Sequence, residues 1–178
     1  MTTIQDADVL SSRFVIGIPY RGGARYGWVD RLGRVVIEPP FAYADRFSEG
    51  LAIAAEKKGR FGYVDRDGQF AIPAEYCGAA RFRENLARVE IGRTKSRLGR
   101  FGLIDRLGNI VVPVAFEDAS WFSGGLCAVR VDGKWGYINT SGEMVIKVSG
   151  VNYFSLSATT LEFPTGDNYP LGKAAVAT

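Results

Sequence analysis

The feature that most constrains the fold is a short motif that occurs four times, beginning at residues 26, 61, 101 and 135. The first copy reads Tyr26-Gly-Trp-Val-Asp-Arg-Leu-Gly-Arg-Val-Val-Ile37. The later copies keep its order of aromatic residue, glycine, β-branched residue, Asp or Asn, glycine and apolar run. Self-similarity at a regular spacing is typical of repeat proteins, in which each unit buries its apolar surface against its neighbours. We therefore predict a repeat array.

Each copy is predicted to form a β-hairpin. An Asp or Asn side chain at the start of a turn accepts hydrogen bonds from the N–H groups ahead of it. A glycine at the fourth position allows the positive φ that a type I turn needs when it closes into a bulge. The four pairs are Asp30 and Gly33, Asp65 and Gly68, Asp105 and Gly108, and Asn139 and Gly142.

Two further expectations concern the strands of the hairpin. The second strand is nearly continuous apolar sequence, as in Val35-Val-Ile37 and Ile110-Val-Val112, which predicts burial on both faces. The glycine after each leading aromatic is expected to leave space for a ring to cross the backbone.

The repeat continues beyond the hairpin at fixed offsets, which predicts equivalent layers of a shared core. An isolated hairpin is marginally stable in water, so stacking of the copies has to supply the burial. We predict an all-β array of about four antiparallel hairpin repeats, either solenoid-like or partially closed in a propeller-like or barrel-like form. The recurring residues are Phe41, Tyr76 and Phe116; Ala44, Ala79 and Ala119; Phe47, Phe82 and Phe122; and Leu51, Leu86 and Leu126.

The pattern resembles the WG-repeat (KWG) family of bacterial proteins. The closest match is Lys134-Trp-Gly-Tyr-Ile-Asn-Thr-Ser-Gly142, and the resemblance spans roughly residues 14–148. In the other copies Tyr26, Phe61 and Phe101 replace the leading tryptophan. The resemblance implies a binding module built from repeats and does not specify an activity.

The chain is predicted to divide into a flexible N-terminus (1–13), the repeat array (14–148) and a C-terminal cap or tail (149–178). The N-terminus lacks the basic and apolar regions of a signal peptide, and no apolar run reaches the ~18 residues of a membrane span. We therefore expect a cytoplasmic protein with no membrane partner. The third copy has an insertion between Val89 and Phe101, and such insertions extend loops on one face of an array.

Little in the sequence indicates catalysis. The chain has no histidine, which removes the commonest general base and metal ligand. Cys127 stands at the offset of Ala52 and Ala87, as a small core residue would, and Cys77 and Cys127 lack metal-site spacing. The turn positions explain the recurring aspartates. We expect a protein that is not an enzyme and has no cofactor or metal site.

Cations precede the leading aromatic in every copy, although the net charge is only +3. Equivalent loops of a stacked array lie along one side, so we expect a basic edge separated from the acidic residues. It either keeps the hairpin edges soluble or binds an acidic partner. The candidate residues of this basic edge are Lys57, Lys58, Arg60, Arg93, Lys95, Arg97, Arg100, Arg130 and Lys134.

The leading functional hypothesis is a non-enzymatic protein-binding module, in its sharpest form an inhibitor or immunity-type partner that blocks a toxin or another protein. The alternative is a module that binds carbohydrate, cell-wall fragments or another small ligand. Nucleic acid is disfavoured as a partner, because the rings stand at core offsets and do not alternate with the cations. The candidate ligand-binding residues are Trp28, Trp121 and Trp135.

Overall fold

The computed structural model describes residues 12–21, 23–94 and 98–147, which form β-strands and no helix. The strands are β1 (Phe14–Tyr20), β2 (Gly23–Val29), β3 (Val35–Phe41), β4 (Tyr43–Ala44), β5 (Ala52–Ala55), β6 (Phe61–Val64), β7 (Phe70–Tyr76), β8 (Gly78–Ala79), β9 (Leu86–Ile91), β10 (Arg100–Asp105), β11 (Ile110–Phe116), β12 (Asp118–Ala119), β13 (Cys127–Val131), β14 (Lys134–Ile138) and β15 (Met144–Lys147). The predicted flexible N-terminus and the predicted C-terminal cap or tail fall almost entirely on residues outside the described ranges.

The strands belong to two compact units, unit 1 (Met1–Phe82) and unit 2 (Arg83–Thr178). In unit 1, β1, β2 and β3 are adjacent in one sheet, and β4, β5, β6 and β7 in another. In unit 2, one sheet places β9, β10 and β11 side by side, and the other contains β12 to β15 in order. The pairs are antiparallel and the sheets do not close on themselves, which confirms the predicted all-β array of hairpins.

The hairpin turns form as predicted. Oδ1 of Asp30 accepts the N–H groups of Leu32 (2.8 Å) and Arg34 (3.0 Å), and the N–H of Gly33 donates to the carbonyl of Asp30 (3.1 Å). The same side-chain and backbone bonds recur in the other three copies. The fourth-position glycines have φ between +76° and +87°, which side chains with a Cβ rarely adopt.

The glycine after the leading aromatic has a different role from the one expected. At Gly27 and Gly62 the closest atoms belong to the backbone of the hairpin's own second strand and not to a ring. A Cβ at Gly27 would lie 2.4 Å from the carbonyl oxygen of Ile37, and one at Gly62 would lie 2.5 Å from that of Ile72. The strand pairing shifts register at these points, so a bulge brings the two backbones together.

The expectation that the second strands are buried on both faces is wrong. Ile37 and Val112 are buried, whereas their neighbours Val36 and Val111 are exposed. Only one face of the strand meets the next repeat. The β-branched residues on the outer face fit the pleated backbone of a strand without being buried.

One core layer lies between successive repeats within each unit. In unit 1, Trp28, Ile37 and Phe41 of the first hairpin cluster with residues of the following sheet, namely Ala52, Ala54 and Val64, and with Phe47. In unit 2, the same offsets supply Leu103, Val112 and Phe116, which cluster with Phe122, Cys127, Val129 and Ile138. These equivalent clusters confirm that the fixed offsets mark shared core layers.

Candidate binding surfaces

Most described residues of the basic edge lie in the connection between two strands or at the first residue of the second strand, whereas Arg130 lies within a strand. Lys57, Lys58 and Arg60 lie between β5 and β6. Arg93 follows β9, Arg100 begins β10, Arg130 is in β13 and Lys134 begins β14. Lys95 and Arg97 lie outside the described residues. Because the basic edge includes residues of both units and each unit is described by itself, the continuity of this edge remains a prediction.

The β5–β6 loop presents its cations directly to solvent. Lys57, Lys58 and Arg60 are all exposed. The loop is closed by a hydrogen bond from the N–H of Arg60 to the carbonyl of Lys57 (3.3 Å), with Gly59 at φ +79°. Within residues 12–21, 23–94 and 98–147, no carboxylate forms an ion pair with these three cations. The loop therefore displays three exposed cations and one exposed carboxylate, that of Glu56, and has a net positive charge.

The β9–β10 insertion loop is tied at its two ends by a carboxylate that the sequence pattern did not single out. Oε1 of Glu90 accepts Nε of Arg93 (2.7 Å) and the N–H of Gly99 (3.2 Å). Glu90 is buried, and a Cβ at Gly99 would approach its side chain to 2.6 Å. Next to this anchor Leu98 is 70% exposed. In the sequence, this role of Glu90 was indicated by the presence of an acidic residue within the largely apolar stretch Leu86–Ile91.

The fourth repeat pairs its basic residue with an acid and a ring. Nε of Arg130 lies 3.4 Å from Oε2 of Glu117, which also accepts the N–H of Gly133 (3.0 Å). The guanidinium of Arg130 lies 6.0 Å from the ring centre of Trp135, its direct partner across the strands. With the Glu90–Arg93 pair, this contradicts the expected separation of basic and acidic residues. Glu90 and Glu117 lie beside the basic residues because their carboxylates accept hydrogen bonds from backbone N–H groups of the same loops.

The three tryptophans occupy different environments. Trp28 is completely buried, and its indole N–H donates to the carbonyl of Asp45 (3.1 Å), so it is a core residue of unit 1. Trp135 is 42% exposed at the start of β14, and Trp121 is 59% exposed just before Phe122. Of the three candidate ligand-binding residues, Trp121 and Trp135 therefore present part of their rings to solvent, and Trp28 does not.

Trp121 lies at a corner of unit 2 whose residues the sequence did not predict to be neighbours. The guanidinium of Arg83 lies 5.4 Å from the ring centre of Trp121. The carboxylate of Glu84 accepts the N–H groups of Gly124 (2.8 Å) and Gly125 (2.9 Å). These bonds join the turn before β9 to the turn before β13. The corner lies at the opposite end of β9 from the insertion loop.

Two of the turn aspartates, Asp30 and Asp105, are stabilised as anions by their hydrogen bonds. Burial favours the neutral carboxyl of Asp30, but hydrogen bonds from Arg34 and Leu32 outweigh it and lower the pKa. The pKa of Asp105 is lowered in the same way, against the effect of burial, by bonds from Asn109, Leu107 and Gly108. Such carboxylates are poor general bases near neutral pH.

The cysteines are free, and Cys127 is fully buried, as predicted for a small core residue. Burial raises the pKa of its thiol from 9.0 to about 11. In the described ranges no three His, Cys, Asp or Glu residues cluster as metal ligands would. Nor do those ranges contain a helix of the length and apolarity needed to cross a membrane.

The family model for the WG containing repeat matches residues 26–59, 61–93, 101–135 and 135–148, more than half of the chain. The chain belongs to the WG-repeat family. These segments start at the same aromatic residues that begin the hairpins, so the resemblance seen in the sequence is confirmed. No curated protein and no solved structure matches this WG-repeat chain.

Proposed function

We propose that this WG-repeat chain is a non-enzymatic module that binds another protein through the described cationic loops. The main support for this proposal is the β9–β10 loop, which displays the exposed Leu98 beside the buried carboxylate of Glu90. An apolar side chain within a polar rim is the usual anatomy of a protein interface. A tied loop also loses less conformational entropy when it binds.

The β5–β6 loop supports an acidic partner. Its three exposed cations have no carboxylate partner in the described ranges, whereas Arg93 and Arg130 are compensated by Glu90 and Glu117. Uncompensated surface charge attracts a partner of opposite sign and raises the association rate. The sharpest form of the proposal is an inhibitor or immunity-type protein that occupies the acidic surface of a toxin or other protein.

The first experiment is a pull-down from the native host with the full chain as bait, beside Leu98→Ser and its matched control Leu107→Ser. Leu107 is 82% exposed in the turn after β10, so the control removes a leucine elsewhere that is at least as exposed as Leu98. We expect a single partner that is retained by the wild type and Leu107→Ser and reduced at least tenfold with Leu98→Ser. Equal capture by all three baits contradicts the placement of the interface.

The charge contribution is tested with the purified partner. Lys57→Ser/Lys58→Ser and the control Arg31→Ser/Arg106→Ser remove the same charge from different loops, and all four side chains are exposed. We expect a several-fold slower association for the first pair, a smaller effect for the control, and slower association of the wild type in higher salt. An inhibitor must also form a 1:1 complex in gel filtration. If no protein co-purifies with the wild type, the inhibitor hypothesis fails.

Carbohydrate binding is a second candidate function, and the exposed Trp121 with Arg83 beside its ring favours it. A flat exposed ring next to polar groups suits stacking of a sugar face. Titration of glycans against the tryptophan fluorescence of wild type, Trp121→Phe and Trp135→Phe tests it. Loss of the glycan-induced change only in Trp121→Phe supports binding at this corner. No change in the wild type eliminates the candidate.

A further inference from the structure

Each repeat has two different faces that form core layers. The first hairpin presents Trp28 and Ile37 to the following sheet, and we call residues at these offsets the rear face. The following sheet meets them with Ala52, Ala54 and Val64, and we call residues at these positions the front face. In unit 2, Leu103 and Val112 form the rear face, and Cys127, Val129 and Ile138 form the front face.

The fourth repeat has a rear face that the described residues leave uncovered. Tyr137 stands at the offset of Trp28 and Leu103, and its cross-strand partner Ile146 stands at the offset of Ile37 and Val112. Tyr137 is 37% exposed and Ile146 is 46% exposed, whereas their four counterparts are at most 7% exposed. The side chains are therefore of the core type, but they face solvent.

The first repeat has the complementary deficiency on its front face. Phe14 pairs with Val29 across the strands, as Ala52 pairs with Val64 and Cys127 with Ile138. Phe14 is 49% exposed, whereas Ala52 and Cys127 are at most 1% exposed. Ile16 and Val29 are half-buried, although the residues at their positions in later repeats are fully buried.

We propose that a second copy of this chain covers these faces, with the front face of one copy on the rear face of the other. Front and rear faces already form the two halves of a layer inside each unit, so their strand spacing and side-chain pattern match. Terminal repeats of a stable array usually carry polar outer faces. Here, the described front face of the first repeat and the described rear face of the fourth repeat are apolar instead. A single contact between two copies buries one face of each kind.

The front face of the first repeat also carries a larger apolar side chain than its counterparts, because Phe14 stands where Ala52 and Cys127 stand in later repeats. The contact is head-to-tail, so each dimer retains one free front face and one free rear face for further association.

This inference does not depend on the proposed partner-binding function, because Lys57, Lys58, Arg60 and Leu98 belong to neither face. The test uses the full chain with Phe14→Glu on the front face and Ile146→Glu on the rear face. Leu107→Glu places the same charge at an exposed leucine outside both faces. Phe14→Ser and Ile146→Ser form a milder second pair if a glutamate variant loses its β-sheet circular dichroism spectrum.

Sedimentation velocity over a range of concentrations gives the first readout. We expect the average mass of the wild type and of Leu107→Glu to rise with concentration, and each face variant to associate at least tenfold more weakly. The decisive sample is an equimolar mixture of Phe14→Glu and Ile146→Glu, which together retain one intact front face and one intact rear face. We expect it to form a 1:1 dimer of the two variants, seen by native mass spectrometry, and nothing larger.

Three outcomes overturn the proposal. The wild type stays monomeric at all concentrations, which means that the faces are covered within the chain, for instance by residues 148–178. Alternatively, the face variants associate as the wild type does, which places the contact elsewhere. Finally, the mixture of folded variants forms no dimer, which excludes a head-to-tail contact between these two faces.

Discussion

The core layers of the two units have the same architecture and different chemistry. In unit 1 the central residue of the layer is Trp28, whose ring packs against Phe41 (5.5 Å between centroids) and Phe47 (5.4 Å). In unit 2, the same offset holds Leu103, which is also buried. The layer therefore tolerates the exchange of an aromatic for an aliphatic residue, provided that its neighbours fill the space.

The polar contacts of the two layers differ along with the ring. The indole N–H of Trp28 donates to the carbonyl of Asp45, and the hydroxyl of Tyr63 donates to the carbonyl at the same offset, that of Ala80 (2.7 Å). Leu103 has no donor for the equivalent carbonyl, that of Ser120, and the thiol of Cys127 approaches it at 3.5 Å instead. The carbonyl is thus satisfied strongly in unit 1 and weakly in unit 2.

Truncation of the central residue gives the largest expected effect. Trp28→Ala removes two aromatic contacts and leaves the carbonyl of Asp45 without its donor, so we expect a loss of about 3–5 kcal/mol in the free energy of unfolding. Leu103→Ala removes a smaller side chain without a hydrogen bond and is expected to cost less, about 2–4 kcal/mol. Urea denaturation, with amide hydrogen exchange to follow each unit, measures both losses.

Trp28→Phe serves as the control for that comparison, since it retains an aromatic ring but removes the donor and part of the buried volume. We expect it to cost about 1–3 kcal/mol, less than Trp28→Ala. If Leu103→Ala destabilises the protein as much as Trp28→Ala, the ring and its hydrogen bond are not what distinguishes the two layers.

Substitution of the hairpin glycines is expected to give a smaller difference in stability between the two units. A Cβ at Gly27 would meet the carbonyl oxygen of Ile37 at 2.4 Å, a backbone atom that cannot move alone. At Gly136 the nearest atom is the flexible thioether sulfur of Met144, at 2.6 Å. We expect Gly27→Ala to cost about 1–3 kcal/mol and Gly136→Ala less. Thermal unfolding of both variants, with Gly23→Ala as the open-space control, tests the ranking; a reversed order contradicts it.

The smallest expected effect is the change of folding stability with pH that arises from Cys127 in the core layer of unit 2. The pKa of Cys127 rises from 9.0 to about 11 on folding, so the folded state retains a proton that the unfolded state releases. This contribution is complete below pH 9 and is lost as the pH rises towards 11. Relative to Cys127→Ala, the wild type should lose about 1 kcal/mol by pH 10. A constant difference between the two from pH 8 to pH 10 contradicts it, and the comparison removes the contribution of tyrosine ionisation.

The amino-acid sequence was sufficient to predict the hairpins, their turns and the offsets that recur as core layers. These features depend on local chemistry, such as the Asp30 side chain on its own turn and Gly33 at positive φ, or on offsets that recur identically. The buried Cys127 follows from its place in the series with Ala52 and Ala87. These features can be inferred from the sequence because every copy forms the same local interactions.

The pairing of charges and the burial of each strand face could be read from the three-dimensional structure and not from the sequence. Glu90 looks like an ordinary strand residue until its carboxylate is seen to hold Arg93 and the N–H of Gly99. Trp28 and Trp121 are the same residue type, yet one is core and the other is exposed. Burial and pairing depend on what the neighbouring strands bring close, and a repeated sequence does not specify what lies beyond its first and last copies.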